Sequence, residues 1–155
     1  MKANPKNIRT RNRMSPGRLS LAGFLGDDPR TLDDIVEADL ATLEAEGVSC
    51  EQIADFLDHL HEAADSALEA PTSTCSGKAT VQLTETMGRI PCPFACGVRA
   101  HKAVIQVTID GETLQLTPLQ IHLIREHSFF QGRGSVFRLE PAHLAQLCRL
   151  CPLGD

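Results

Sequence analysis

The chain has 155 residues, a formal net charge of −5 and 42% hydrophobic residues, enough for one small domain with a modest core. Aromatics make up only 4%, all of them Phe, which leaves little surface for stacking bases or sugars. No apolar run approaches the ~20 residues that span a bilayer, and the short stretch Leu19 to Leu25 runs into Asp27 and Asp28 without a small-residue cleavage site, so the chain reads as cytoplasmic.

The net charge conceals three regions. Residues 1–18 carry six bases (Lys2, Lys6, Arg9, Arg11, Arg13, Arg18) and no acid. Residues 27–69 carry fourteen acids against the single Arg30, and residues 70–155 carry eight bases and six acids. Residues 1–26 are therefore expected to be a basic, disordered tail, either a phosphate-binding arm or a solubilising one, with Met14 as an alternative start.

Two helices are expected over residues 27–70. Thr31 caps the first, and Leu32, Ile35, Val36, Leu40 and Leu43 repeat at helical spacing up to the Gly47 stop. Ser49 with Gln52 forms a capping box for the second, whose apolar face is Ile53, Phe56, Leu57, Leu60, Ala64 and Leu68. So short a connection predicts an antiparallel αα-hairpin with acidic outer faces.

Residues 71–80 are small, polar and turn-prone, and read as a linker. Beyond them, over 81–155, Val81 and Leu83 suggest a short strand before Pro91-Cys92-Pro93. Ala103, Ile105, Val107 and Ile109 alternate with Gln106 and Thr108, and Asp110-Gly111 is a two-residue hairpin signal before Leu114 and Leu116. Thr117, Pro118 and Gln120 then open a helix carrying Leu119, His122, Leu123, Ile124 and His127. Val136 to Leu139 reads as another short strand, and Pro141 begins a last helix through Leu144, Leu147, Cys148 and Cys151.

Four residues in this half carry chemistry. Cys92-x3-Cys96, a 25-residue insert and His122-x4-His127 supply two thiolates and two imidazoles, the ligand set a structural Zn²⁺ prefers, at spacings within the usual ranges. Their charges cancel those of the ion, so the site can be buried cheaply. Six cysteines in a chain without a secretion signal argue for metal and against a disulfide framework. His101, five residues after Cys96, is the reserve ligand that would replace it. Residues five apart on a helix sit ~140° off a common face, so the helix is expected to end or distort near His127.

The stretch from Cys92 to His127 resembles a Cys₂His₂ zinc finger in its ββα order, and Cys-Pro-Phe-Ala-Cys-Gly resembles the knuckle turn of zinc ribbons. That resemblance covers about a quarter of the chain and implies Cys92, Cys96, His122 and His127 on the metal. It also implies backbone N–H groups aimed at the first cysteine sulfur. The insert departs from the roughly twelve residues of DNA-reading fingers, and no second finger follows.

Cys148-x2-Cys151 lies at a helix end, where the dipole does not activate a thiol, and reads as packing on a helix face rather than as a redox pair. Cys50 and Cys75 are isolated, with no role assigned. There is no Gly-rich phosphate loop, nucleophile elbow or His-Glu-x-x-His. The expected architecture is α+β, an N-terminal αα-hairpin followed by a zinc-stapled ββα module with a short extra strand and a C-terminal helix.

The expected function is a non-catalytic zinc protein that binds a macromolecule, a protein rather than DNA, with no membrane role. One alternative is a nucleic-acid-binding regulator using the basic tail with Arg99, Lys102, Arg125, Arg133 and Arg138. Residues 47–57 resemble the second helix of bacterial helix-turn-helix domains, but the recognition helix is missing and the region is acidic. The other alternative is a ββα nuclease-like enzyme with Glu126 as base beside the metal.

Overall fold

A computed structural model describes residues 5–20 and 23–153. Among them the fold is α+β, in the order α1 (Pro5–Arg13), α2 (Leu32–Glu46), α3 (Cys50–Ser66), β1 (Thr72–Thr74), β2 (Ala79–Pro91), β3 (Arg99–Ile109), β4 (Glu112–Leu116), α4 (Pro118–His127) and α5 (Pro141–Arg149). The strands form one antiparallel meander, β1-β2-β3-β4. No described helix is long and apolar enough to cross a membrane.

Side-chain alternation decides which face of the sheet is covered. Ala79, Val81 and Leu83 of β2 and Ala103, Ile105, Val107 and Ile109 of β3 point inward, while Thr80, Gln82, Gln106 and Thr108 are exposed. The inner face packs against α3 (Ile53, Phe56, Leu57, Leu60), α4 (Ile121, Ile124) and α5 (Leu144, Leu147) in one continuous core. Each such side chain contributes about 1.5–3 kcal/mol on burial. Asp110 and Gly111, both at positive φ (52° and 75°), make the expected two-residue turn between β3 and β4.

A second apolar cluster lies on the other side of α4. Met14, Phe24, Leu25, Leu32 and Ile35 meet Leu119, Leu123, Phe129 and Cys92 there. Residues 5–13, expected within a disordered tail, are helical, and Met14 is fully buried. The charge pattern misled because two of the bases point inward. Arg11 donates to the carbonyls of Asp28 and Arg30 (2.7 and 2.6 Å), and Arg13 Nε donates to the carbonyl of Pro93 (2.6 Å).

The chain between these clusters crosses itself closely. Gly132 N–H donates to the Phe24 carbonyl (2.9 Å), and a Cβ on Gly132 would lie 2.3 Å from the Leu25 carbonyl oxygen. A Cβ on Gly26 would lie 2.4 Å from the carbonyl oxygen of Arg133. The two backbones touch, so neither position accepts a side chain.

Several expectations need correcting. Helices α2 and α3 leave their shared turn in different directions: α2 lies along α5, and α3 along α4 and the sheet, so they are not a self-packed αα-hairpin. The cause is the split inner face of α2, with Leu32 and Ile35 in one cluster and Leu43 in the other. Leu40 is 41% exposed, and Leu68, beyond the end of α3, is 76% exposed. The strand expected near Val81 is thirteen residues long, and β1 and the start of β2 fall within the expected linker. Residues 136–139 form no strand: Arg138 N–H closes a turn onto the Ser135 carbonyl (3.2 Å).

Cys75 and Cys151 form a disulfide, with Cα atoms 4.8 Å apart. The sequence pointed away from disulfides and placed Cys151 with Cys148. The bridged residues are 76 positions apart, in a turn and beyond a helix end, so no local spacing pairs them.

Between α2 and the loop before α5, Arg138 Nη2 and Nη1 reach Asp39 Oδ1 and Oδ2 (2.9 and 3.0 Å), with both side chains at most 7% exposed. Arg138 Nη1 also donates to the Gln131 carbonyl (2.7 Å) and Nε to Glu140 (2.8 Å). A buried ion pair is costly to break on one side only. Asp39→Leu should therefore lower the unfolding free energy by about 3–5 kcal/mol, and Asp39→Leu with Arg138→Met should recover most of it, as read from denaturant midpoints.

Candidate functional site

The turn between β2 and β3 holds both cysteines at the tip of the longest hairpin. Cys92 N–H donates to the Val98 carbonyl (2.9 Å) and Ala95 N–H to the Cys92 carbonyl (3.0 Å). Ala95 (φ 58°) and Gly97 (φ 93°) take the left-handed conformations that reverse the chain. Cys92 thus faces inward and is buried, while Cys96 is exposed.

Helix α4 supplies the histidines. Thr117 and Gln120 form a full capping box with Pro118 in the first turn, and the helix stops at Ser128, which sits at φ 53°. The expected end at His127 is thus present, and it lets both imidazoles turn toward the hairpin tip. Cys92 Sγ lies 3.4 Å from His127 Nε2, and Cys96 Sγ lies 3.2 Å from His122 Nε2.

All four donor atoms fall within 4.8 Å of one another, a group that could hold a metal ion. The fit can be tested on the separations themselves. An ion with bonds of about 2.0–2.3 Å in tetrahedral array sets neighbouring S and N donors about 3.5 Å apart. The observed S···N distances of 3.4 and 3.2 Å are close to that edge. These two of the six separations, with a donor set of two sulfurs and two imidazoles, suit a four-coordinate ion.

Burial shapes the protonation of these groups in the metal-free protein. It pushes the Cys92 thiol up to about 11, against smaller lowering contributions from the backbone N–H groups of Phe94 and Cys96. Burial also lowers His122 and His127, so both imidazoles favour the neutral, ligating form. Glu126 is exposed and opposes that lowering on both rings, but is not a member of the donor group.

Phe94 was overlooked in the sequence. Its ring stacks on His127 (centroids 4.1 Å, 10° between planes) and meets the buried Phe129 edge-on at 5.5 Å. The turn therefore reaches His127 through packing as well as through sulfur. The signal available was an apolar residue between two cysteines, which a knuckle otherwise exposes. His101 lies on β3, exposed, with Nε2 3.4 Å from Arg89 Nη2, and is outside the group, so Cys96 keeps its place.

Two of the arginines named for phosphate binding are engaged elsewhere. Arg125 reaches Glu51, Asp55 and Asp58 of α3 (2.5, 2.9 and 2.6 Å), and Arg138 holds Asp39. The acids raise both guanidinium pKa values, for Arg125 chiefly through Asp55 and for Arg138 against the opposing effect of burial.

Compared with known protein families, curated proteins and solved structures, the chain matches none.

In the metal-free, non-disulfide thiols, alkylation should follow exposure and thiolate availability. Cys96 is expected to react first, half-buried Cys50 and Cys148 more slowly, since burial raises both thiols, and Cys92 last. Peptide mass spectrometry of a timed iodoacetamide reaction at pH 8 checks the order, and equal rates at Cys92 and Cys96 would contradict the geometry.

Proposed function

We propose that the protein is a non-catalytic zinc-binding module, regulatory or adaptor in role, whose metal holds a recognition surface in place for a macromolecular partner. Zn²⁺ on Cys92, Cys96, His122 and His127 makes the arrangement a zinc-stapled ββα unit, in which β3, β4 and α4 are closed by the hairpin tip. The observation that carries this reading is the convergence of two sulfur and two imidazole donors within 4.8 Å. Soft thiolates with imidazoles select Zn²⁺ over hard cations such as Mg²⁺ or Ca²⁺. Four protein donors complete a tetrahedron and leave no position for a reacting water, which favours a structural ion over the nuclease-like alternative.

A protein partner fits the surface better than a nucleic acid. Glu37, Glu44, Glu51, Asp55, Glu62, Asp65 and Glu69 are exposed on or just beyond α2 and α3. The unpaired acids among them repel phosphate, and Arg125 and Arg138 are already paired with carboxylates. Bound Zn²⁺ would supply charge neutralisation and a cross-link between the hairpin tip and α4. The chain's own residues do the rest: Arg13 holds the Pro93 carbonyl and Phe94 fixes the His127 ring.

Elemental analysis of protein expressed with zinc should give one tightly held equivalent from this site in the wild type, and none from it in His122→Ala. Wild-type protein without zinc would remove the central claim. For the partner, wild type and a Lys6→Glu, Arg9→Glu, Arg18→Glu variant should both pass a nucleic-acid column at low salt. Salt-sensitive retention of the wild type that the variant loses would transfer the function to nucleic-acid binding.

A further inference from the structure

A second group of donors lies in the main core, whereas Cys92 of the first belongs to the second cluster. Both Sγ atoms of Cys75 and Cys151 and a ring nitrogen of His59 lie within 4.8 Å of one another. His59 comes from α3, Cys75 from the turn after β1, and Cys151 from the residues beyond α5. Both cysteines are buried and His59 is half-buried. Thr74 Oγ1 lies 2.9 Å from His59 Nε2 and fixes the ring.

Two sulfurs beside an imidazole whose Nε2 is engaged by a hydroxyl, with Nδ1 left to ligate, are the ingredients of a thiolate–imidazole metal site. The sulfurs also sit where small shifts are cheap. Cys75 and Ser76 are consecutive non-glycine residues at φ 56° in a turn, a conformation L-residues hold reluctantly, and Cys151 lies past the end of its helix. Opening the bridge allows that turn to relax and lets the sulfurs part to the ~3.8 Å that a shared tetrahedral ion imposes.

The geometry points to a redox-gated second metal site, in which Cys75, Cys151 and His59 bind a thiophilic divalent cation of the Zn²⁺ class only when the disulfide is reduced. The opening step needs two equivalents of a low-molecular-weight thiol. The protein disulfide and two R–SH give two cysteine thiols and one R–S–S–R, so the protein gains two electrons and two protons that the small thiol loses. The cation then displaces the two thiol protons, forming two metal–sulfur bonds and one metal–nitrogen bond. Three protein donors leave one position open, unlike the first site. Reoxidation by a small disulfide reverses the sequence and expels the ion. The same molecule thus exchanges a covalent tie between the β1–β2 turn and α5 for a metal tie at the same place.

The test compares zinc stoichiometry in full-length wild type, oxidised and after anaerobic reduction with excess dithiothreitol followed by its removal, each equilibrated with ZnCl₂ and desalted. Reduction should add one equivalent of zinc, and bound zinc should protect Cys75 and Cys151 from iodoacetamide. His59→Ala and, separately, Cys75→Ser with Cys151→Ser should show no added equivalent while retaining the zinc held in the oxidised protein. An unchanged stoichiometry on reduction of the wild type overturns the proposal, as does an added equivalent that survives both variants. Because the readout is the difference between redox states, it does not depend on the first site. That site fails separately, if the oxidised wild type holds no zinc.

Discussion

Helix α4 is ten residues long and has to satisfy four neighbours. Leu119 and Leu123 fill the N-terminal cluster, while Ile121 and Ile124 close the sheet core. Arg125 reaches across to the acids of α3, and His122 and His127 meet the hairpin tip. Each of these pairings fixes the helix rotation to within one residue's turn, so they hold together or fail together. The outer half of the β2–β3 hairpin has little else to fix it. From Thr84 to Arg89 both faces of β2 are exposed, and pairing is interrupted between Glu85 and Arg89. The tip is positioned because Cys92 enters the second cluster and Phe94 packs on His127.

Local periodicity made the sheet and the helices of the core legible. The alternation in β3, the Asp110-Gly111 turn and the capping boxes at Ser49 and Thr117 all depend on neighbours within four residues, and all are present. The four donors of the candidate site were legible for the same reason, as two short spacings on recognisable elements. What sequence reading lost was long-range. The Arg13–Pro93 hydrogen bond spans 80 positions and the Asp39–Arg138 pair spans 99, and neither leaves a local trace. A basic stretch looks the same whether its guanidiniums face water or buried carbonyls. The apolar run of α2 likewise did not reveal that its two halves serve different clusters.

Two arginines and their carboxylates are held inside the fold. Asp28, with its side chain fully buried, accepts from Arg30 and from the Arg133 backbone, and the Arg30 guanidinium holds its carboxyl well below the usual carboxylate range. Asp39 and Glu140 share Arg138. Such pairs add little net stability over apolar packing, but they penalise alternative arrangements that would leave one partner unmatched. Two loops without regular structure, one before α2 and one between α4 and α5, are thereby tied to each other and to α2.

The close approach of Gly26 to Arg133 and Gly134, and of Gly132 to Leu25, has a consequence for the order of assembly. The Arg133–Asp28 hydrogen bond joins positions 105 apart, so the segment around Phe24 has no place to dock until a loop made much later exists. During synthesis Met14, Phe24 and Leu25 emerge before Leu119, Leu123 and Phe129, and remain without these partners while the whole sheet is translated. Docking of this segment therefore waits for residues more than a hundred positions later, and until then its apolar side chains are open to chaperones or to self-association in a nascent chain.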